Sequence, residues 1–161
     1  MLWDRLRRKP AADVPGTQTI AASHPLGYSG EIELALISAV YSAPGGEGEA
    51  PPDALAVRVV VDRWHRHRDG KPADNLSHIS GLDDYAFKRV LADEACLGGR
   101  PRSCVVQDAA DSLLTAQVFH AADLAAAPEV AREALRGVKG LDEATVDRFL
   151  GLLEVRSPST A

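Results

Sequence analysis

The chain has 161 residues, a formal charge of −5, a hydrophobic fraction of 45% and only two cysteines. That length and composition suit one domain with a real core and exclude wholesale disorder, a disulfide framework and a cysteine-rich zinc set. No apolar run approaches the roughly 20 residues of a membrane span, and the acidic total opposes strong sequence-independent binding to nucleic acid.

Residues 1–28 read as a polar tail. Asp4, Arg5, Arg7, Arg8 and Lys9 crowd its start, without the apolar stretch of a signal peptide, so a cytoplasmic location is expected. Leu2, Trp3 and Leu6 can form one amphipathic turn beside the arginines, and the alternative to a frayed terminus is a docking segment for a membrane surface or a partner.

Order is expected over residues 29–155, in about six helices of an all-α domain. Ser29 is the expected cap of the first, with Glu31 and Glu33 favouring its positive end and Leu34, Leu36, Ile37, Val40 and Tyr41 on its apolar face. Pro44, Gly45 and Gly46 end it. Asp53 can cap a second helix through His67, with Val57, Val60, Val61 and Trp64 facing the core, although Val59-Val60-Val61 also suits a strand. Ser80 with Asp83 resembles a capping box for a third, carrying Leu82, Tyr85, Val90 and Leu91. Gly98–Pro101 separates it from a fourth, with Val105, Val106, Ala109, Ala110, Leu113 and Leu114 inward. A fifth starts at Asp123 or Pro128 and carries Val130, Ala134 and Leu135; a sixth carries Val146, Phe149, Leu150 and Leu153. Residues 156–161 form a second tail.

Between the last two helices, Gly137-Val138-Lys139-Gly140-Leu141-Asp142 is long enough only for a turn. Helices joined this way suggest a helix-hairpin-helix, whose glycine turn exposes backbone N–H groups to a phosphate at the start of the second helix. A phosphate held by backbone carries no sequence information. Steric need alone also places glycine in helical hairpins.

Leu135 to Val155 resembles the hairpin region of the endonuclease III superfamily of DNA glycosylases. Glu33 to Ala43 is similar to that superfamily's early helix, and Arg102 to Leu114 to its helix in which a basic residue precedes a small one and Leu-Leu closes the run. The three segments follow the family order. The resemblance implies a helical domain that binds DNA through its hairpin and excises bases from a flipped nucleotide, using a carboxylate near the sugar and, in bifunctional members, a lysine nucleophile. The residues depart from that pattern where the chemistry lies. Gly140-Leu141-Asp142 stands where the family has Gly-hydrophobic-Gly, Ala144 occupies the lyase-lysine position, and Asp147 is too close to the hairpin to replace the family's essential aspartate. A non-catalytic protein without cofactor is therefore expected.

Candidate DNA contacts are Gly137, Lys139 and Gly140 in the hairpin, Arg100 and Arg102 before the fourth helix, and Arg66 and Arg68 after the second. Weak, salt-sensitive DNA binding is one expectation. The other is self-association or a protein partner, covering apolar faces such as Val146, Phe149 and Leu153 that the absent later part of the family domain would leave wet. His65, His67 and His78 offer no metal site, because His-x-His on a helix points its rings about 200° apart. Cys96 and Cys104 are expected as reduced thiols, and the four cysteines of an iron–sulfur cluster are missing. No nucleophile-elbow pattern supports a hydrolase.

Overall fold

Eight helices and a two-stranded hairpin make up residues 27–46 and 48–154, the part of the chain that the computed structural model describes. In chain order they are α1 (Ile32–Ser42), α2 (Ala54–His67), α3 (Ser77–Ser80), α4 (Asp84–Leu91), β1 (Cys96–Leu97), β2 (Arg100–Pro101), α5 (Arg102–Thr115), α6 (Ala121–Ala126), α7 (Pro128–Arg136) and α8 (Glu143–Leu153). The class is all-α, as the helical periodicities require. The two helices beyond six are α3 and α6, pieces of four and six residues too short to display a period of their own. The polar segments 1–26 and 155–161 lie outside the described residues.

α1 is the axis of the fold. Every residue from Ile32 to Tyr41 is buried, and α8, α2 and α5 pack around it. A helix surrounded this way has no polar face to offer water, and its sequence is accordingly apolar on nearly every side. It begins three residues after Ser29: Glu31 is the flanking residue, and the Glu33 N–H donates to the carbonyl of Ala73. Glu33 does not sit at the rim of the helix dipole as expected, but is fully buried.

The remaining helices follow their start signals closely. Asp53 caps α2 through the Leu55 N–H at 3.3 Å, and Val57, Val60, Val61 and Trp64 form its buried face, so the triple valine is helical. Asp83, not Ser80, caps the next long helix, accepting from Ala86 N–H at 2.8 Å. Phe87 and Leu91 are its buried residues, while Tyr85 stands exposed. α5 buries Val105, Val106, Ala109, Ala110 and Leu113. On α7, Leu135 is buried and Ala134 packs against the core as expected, whereas Val130 is exposed and Ala131 takes its inward place.

α8 buries Val146, Phe149 and Leu153 and packs chiefly on α1. Those three side chains are therefore not left wet: they are buried within the chain itself. The Tyr28 N–H donates to the Leu152 carbonyl at 2.8 Å, satisfying one of the carbonyls that a helix end leaves open. Among the described residues no helix is long and apolar enough to cross a membrane.

Candidate nucleic-acid interface

The hairpin of α7 and α8 owes its shape to two glycines with different tasks. Gly137 ends α7 at φ −81°, a conformation open to any residue. Gly140 has φ +95°, and a Cβ there would lie 3.3 Å from Val105 Cγ2 and 3.5 Å from the Leu97 carbonyl. The turn is thus pressed against β1 and the first turn of α5, where an L side chain is disfavoured by conformation and by space. Val138 is buried beneath the turn, and its carbonyl accepts from the Leu141 N–H at 3.3 Å.

Asp142 begins α8. Its carboxylate accepts from the Thr145 N–H at 2.8 Å and the Thr145 hydroxyl at 2.6 Å. The Thr145 hydroxyl, then the Thr145 N–H, hold its pKa below the ordinary carboxylate value. The chain therefore supplies its own anion at the helix end where a phosphate would otherwise be favoured. The N–H groups of Lys139 and Gly140, one turn earlier, meet no backbone acceptor among the described residues.

Of the cations expected to join the hairpin, Lys139 is exposed and meets no carboxylate among the described residues. Arg100 is beside it, donating to the Lys139 carbonyl at 3.3 Å, but its guanidinium also pairs with Asp108 at 2.5 Å. A groove of about 590 Å³ runs between the turn and α5, with Arg100 and Lys139 facing Asp108, Asp111, Ser112 and Thr115. Its two cations are matched by two carboxylates.

Arg102 is not a surface residue. It is 3% exposed and donates from Nη1 to the Val40 carbonyl at 2.5 Å, binding the start of α5 to the end of α1. Burial lowers its pKa, with Tyr41 and Asp93 acting in the opposite sense. Burial also raises the Tyr41 phenol. Arg68 is likewise committed inward, its Nε 3.2 Å from the Glu33 carboxylate. Arg66 is exposed at the end of α2, an element with no substantial packing against α7 or α8. The seven expected contacts therefore resolve into a cluster of Gly137, Lys139, Gly140 and Arg100, with Arg66 apart and Arg68 and Arg102 removed.

The outer face of the hairpin is acidic. From α7 to Glu154 there are six carboxylates, Glu129, Glu133, Asp142, Glu143, Asp147 and Glu154, against Arg132, Arg136, Lys139 and Arg148. Arg132 bridges Glu143 at 3.1 Å and Asp147 at 2.7 Å, and Arg136 binds Glu133 at 2.8 Å and Glu143 at 3.0 Å. Ala144 is exposed on this face.

A buried polar network escaped the sequence reading. Glu33, placed in α1, accepts from Trp64 Nε1 at 2.7 Å and from the Asn75 N–H at 2.9 Å, besides pairing with Arg68. The one signal available was a glutamate inside an otherwise apolar helix. His67 stacks on Trp64 with centroids 5.1 Å apart, and among the described residues no cluster of three His, Cys, Asp or Glu has the arrangement to hold a metal. Cys96 is exposed and Cys104 half-buried, both unpaired with each other. Comparison with protein-family models, curated proteins and solved structures returns no match.

Proposed function

We propose that this chain is a non-catalytic helix-hairpin-helix module of endonuclease III-like type, which touches DNA weakly through the turn at Lys139 and Gly140. The observation that carries the reading is the turn itself: Gly140 at φ +95° packs on Leu97 and Val105, leaving Lys139 exposed. The absence of strong affinity follows from the surroundings. Asp142 occupies the start of α8, Asp108 pairs with Arg100, and Arg68 and Arg102 face inward.

Fluorescence anisotropy with duplex, nicked and single-stranded oligonucleotides tests this. Binding that weakens steeply with salt is expected, because each phosphate contact releases a counterion. Lys139→Glu should reduce that binding and its salt slope while leaving the thermal transition in place. No binding to any DNA form at low salt removes the proposal. Lack of catalysis rests on Ala144 in the lysine position and on Asp147 being engaged by Arg132 at the surface. An excision assay on duplexes with oxidised or alkylated bases should give no product, and robust turnover would overturn this part.

A second reading, a protein-interaction module, is favoured by the acidic outer face of α7 and α8 and by an apolar pair elsewhere. Leu55 (63% exposed) and Val59 (38% exposed) lie one turn apart on α2. Self-association through that pair would appear in sedimentation velocity and be abolished by Leu55→Asp; a clean monomer at all concentrations would count against it.

A further inference from the structure

Residues of α6, α7 and α8 line a groove of about 800 Å³. Its lining mixes apolar residues, among them Leu124, Pro128, Leu150 and Leu153, with the carboxylates Glu129, Asp147 and Glu154. Arg132 is the groove's one cation, and it is already held by Asp147 and Glu143. Glu129 and Glu154 meet no cation in an ion pair among the described residues. α8 also has no basic residue in its last turn, so the negative end of its dipole adds to these carboxylates uncompensated.

The chain preceding the fold arrives at this place. Tyr28 N–H donates to the Leu152 carbonyl, and a Cβ on Gly27 would lie 2.7 Å from the same oxygen. Residue 27 is therefore fixed at the end of α8, beside Gly151, Leu153 and Glu154 of the groove wall. Upstream, residues 1–26 lie outside the described structure, and their composition complements the groove. Leu2, Trp3 and Leu6 supply apolar side chains, while Arg5, Arg7, Arg8 and Lys9 supply cations against a single Asp4.

We propose that the segment Met1–Lys9 docks in this groove, with Leu2, Trp3 and Leu6 on its apolar residues and the arginines at Glu129, Asp147 and Glu154. Reach is no obstacle, since residues 10–26 span roughly 55 Å when extended. The tether also makes the encounter intramolecular, at an effective concentration on the order of millimolar, so a modest intrinsic affinity fills the groove. A basic segment held there is withdrawn from any membrane or acidic partner. Occupancy of the groove and availability of the segment then become alternatives.

Trp3 reports on the state directly, because Trp64, the only other tryptophan, is fully buried. The experiment is acrylamide quenching of the full chain, with Trp3→Phe subtracted to isolate Trp3. Gly151→Arg is the blocking variant: it fills the groove with a cation, at a helical position where a Cβ meets nothing within 4 Å. A Trp3 quenching constant several-fold below that of free N-acetyltryptophanamide in the native chain, rising to the free value in Gly151→Arg, supports the proposal. Trp3 as quenchable as the free amide in the native chain overturns it. Protection that survives Gly151→Arg also overturns it, since Trp3 would be packed elsewhere. Protection found only at concentrations where light scattering shows a dimer assigns the groove to a second copy and overturns the intramolecular arrangement. Hydrogen-exchange protection of residues 155–161 instead, lost in Gly151→Arg, assigns it to the C-terminal segment and overturns it as well.

Discussion

Glu33 has no contact with solvent, yet two donors, the Trp64 indole and the Asn75 N–H, converge on it, and the Arg68 guanidinium lies beside it as an ion pair. It joins α1 to α2 and to the segment leading into α3. Glu33→Ala would leave those donors facing an apolar void and should destabilise the fold by about 3 kcal/mol, read by urea denaturation. Glu33→Gln is no remedy, because its NH₂ group would turn a donor towards a donor. Asp142 is the other carboxylate with a defined task. Asp142→Ala should cost about 1 kcal/mol, as lost N-caps do. Its folded pKa lies below the ordinary 3.8, so the unfolded chain takes up the proton first. The contribution is therefore complete above 3.8 and disappears as the pH falls through the lower folded value. The gap between the urea midpoints of native chain and Asp142→Ala should be constant near neutrality and close in strong acid. Neither role was legible as such. The sequence placed Asp142 as an intruder at a phosphate site, and the structure adds that it is also the cap; Glu33 looked like a helix-end residue because charge on a helix gives no sign of which partners burial will bring.

The buried faces of α2 and α5 are legible in the spacing of their apolar residues. α2 repeats its apolar residues with a helical period, and Val57, Val60, Val61 and Trp64 are the ones buried. α1 is buried all round, so the apolar face of Leu34, Ile37, Val40 and Tyr41 marks only part of its buried surface, and the spacing does not reveal its central position. In sequence the β1–β2 hairpin shows only as a helix stop, because two-residue strands cannot display an alternation. Among the expected DNA contacts, a basic residue is visible in sequence but its direction is not: Arg102 at the first position of α5 reaches back to the Val40 carbonyl. The hairpin turn permits a paired prediction. Gly140→Ala adds a Cβ at φ +95° against Val105 and Leu97, and should cost about 1–3 kcal/mol. Gly137→Ala meets nothing within 4 Å at φ −81°, and should be neutral or stabilising by about 0.5 kcal/mol. Equal effects in thermal denaturation would mean that the turn is not shaped as described.

For the whole molecule, the decisive arrangement is that α1 binds α8, α2 and α5 together. Neither end of the described chain can loosen without exposing the same apolar helix. Unfolding should therefore be a single transition, with far-UV circular dichroism and Trp64 emission, followed in a Trp3→Phe background, superimposing across a urea titration. Separated curves would show that the α6–α8 region is an independent unit. The charge of −5 is distributed in keeping with that division of labour: several arginines are consumed in holding helices together, and the outer surface of the hairpin is left with surplus carboxylate.

The same central helix imposes a condition on biosynthesis. α1 leaves the ribosome first among the described helices, and its principal cover, α8, lies about a hundred residues downstream. At roughly 5–20 residues per second, a segment with scarcely a polar face waits several seconds or more for its partner. Throughout that interval it is a hydrophobic peptide on a nascent chain, suited to capture by a holding chaperone. Yield in the cell should accordingly depend on chaperone supply more than the stability of the finished protein would suggest.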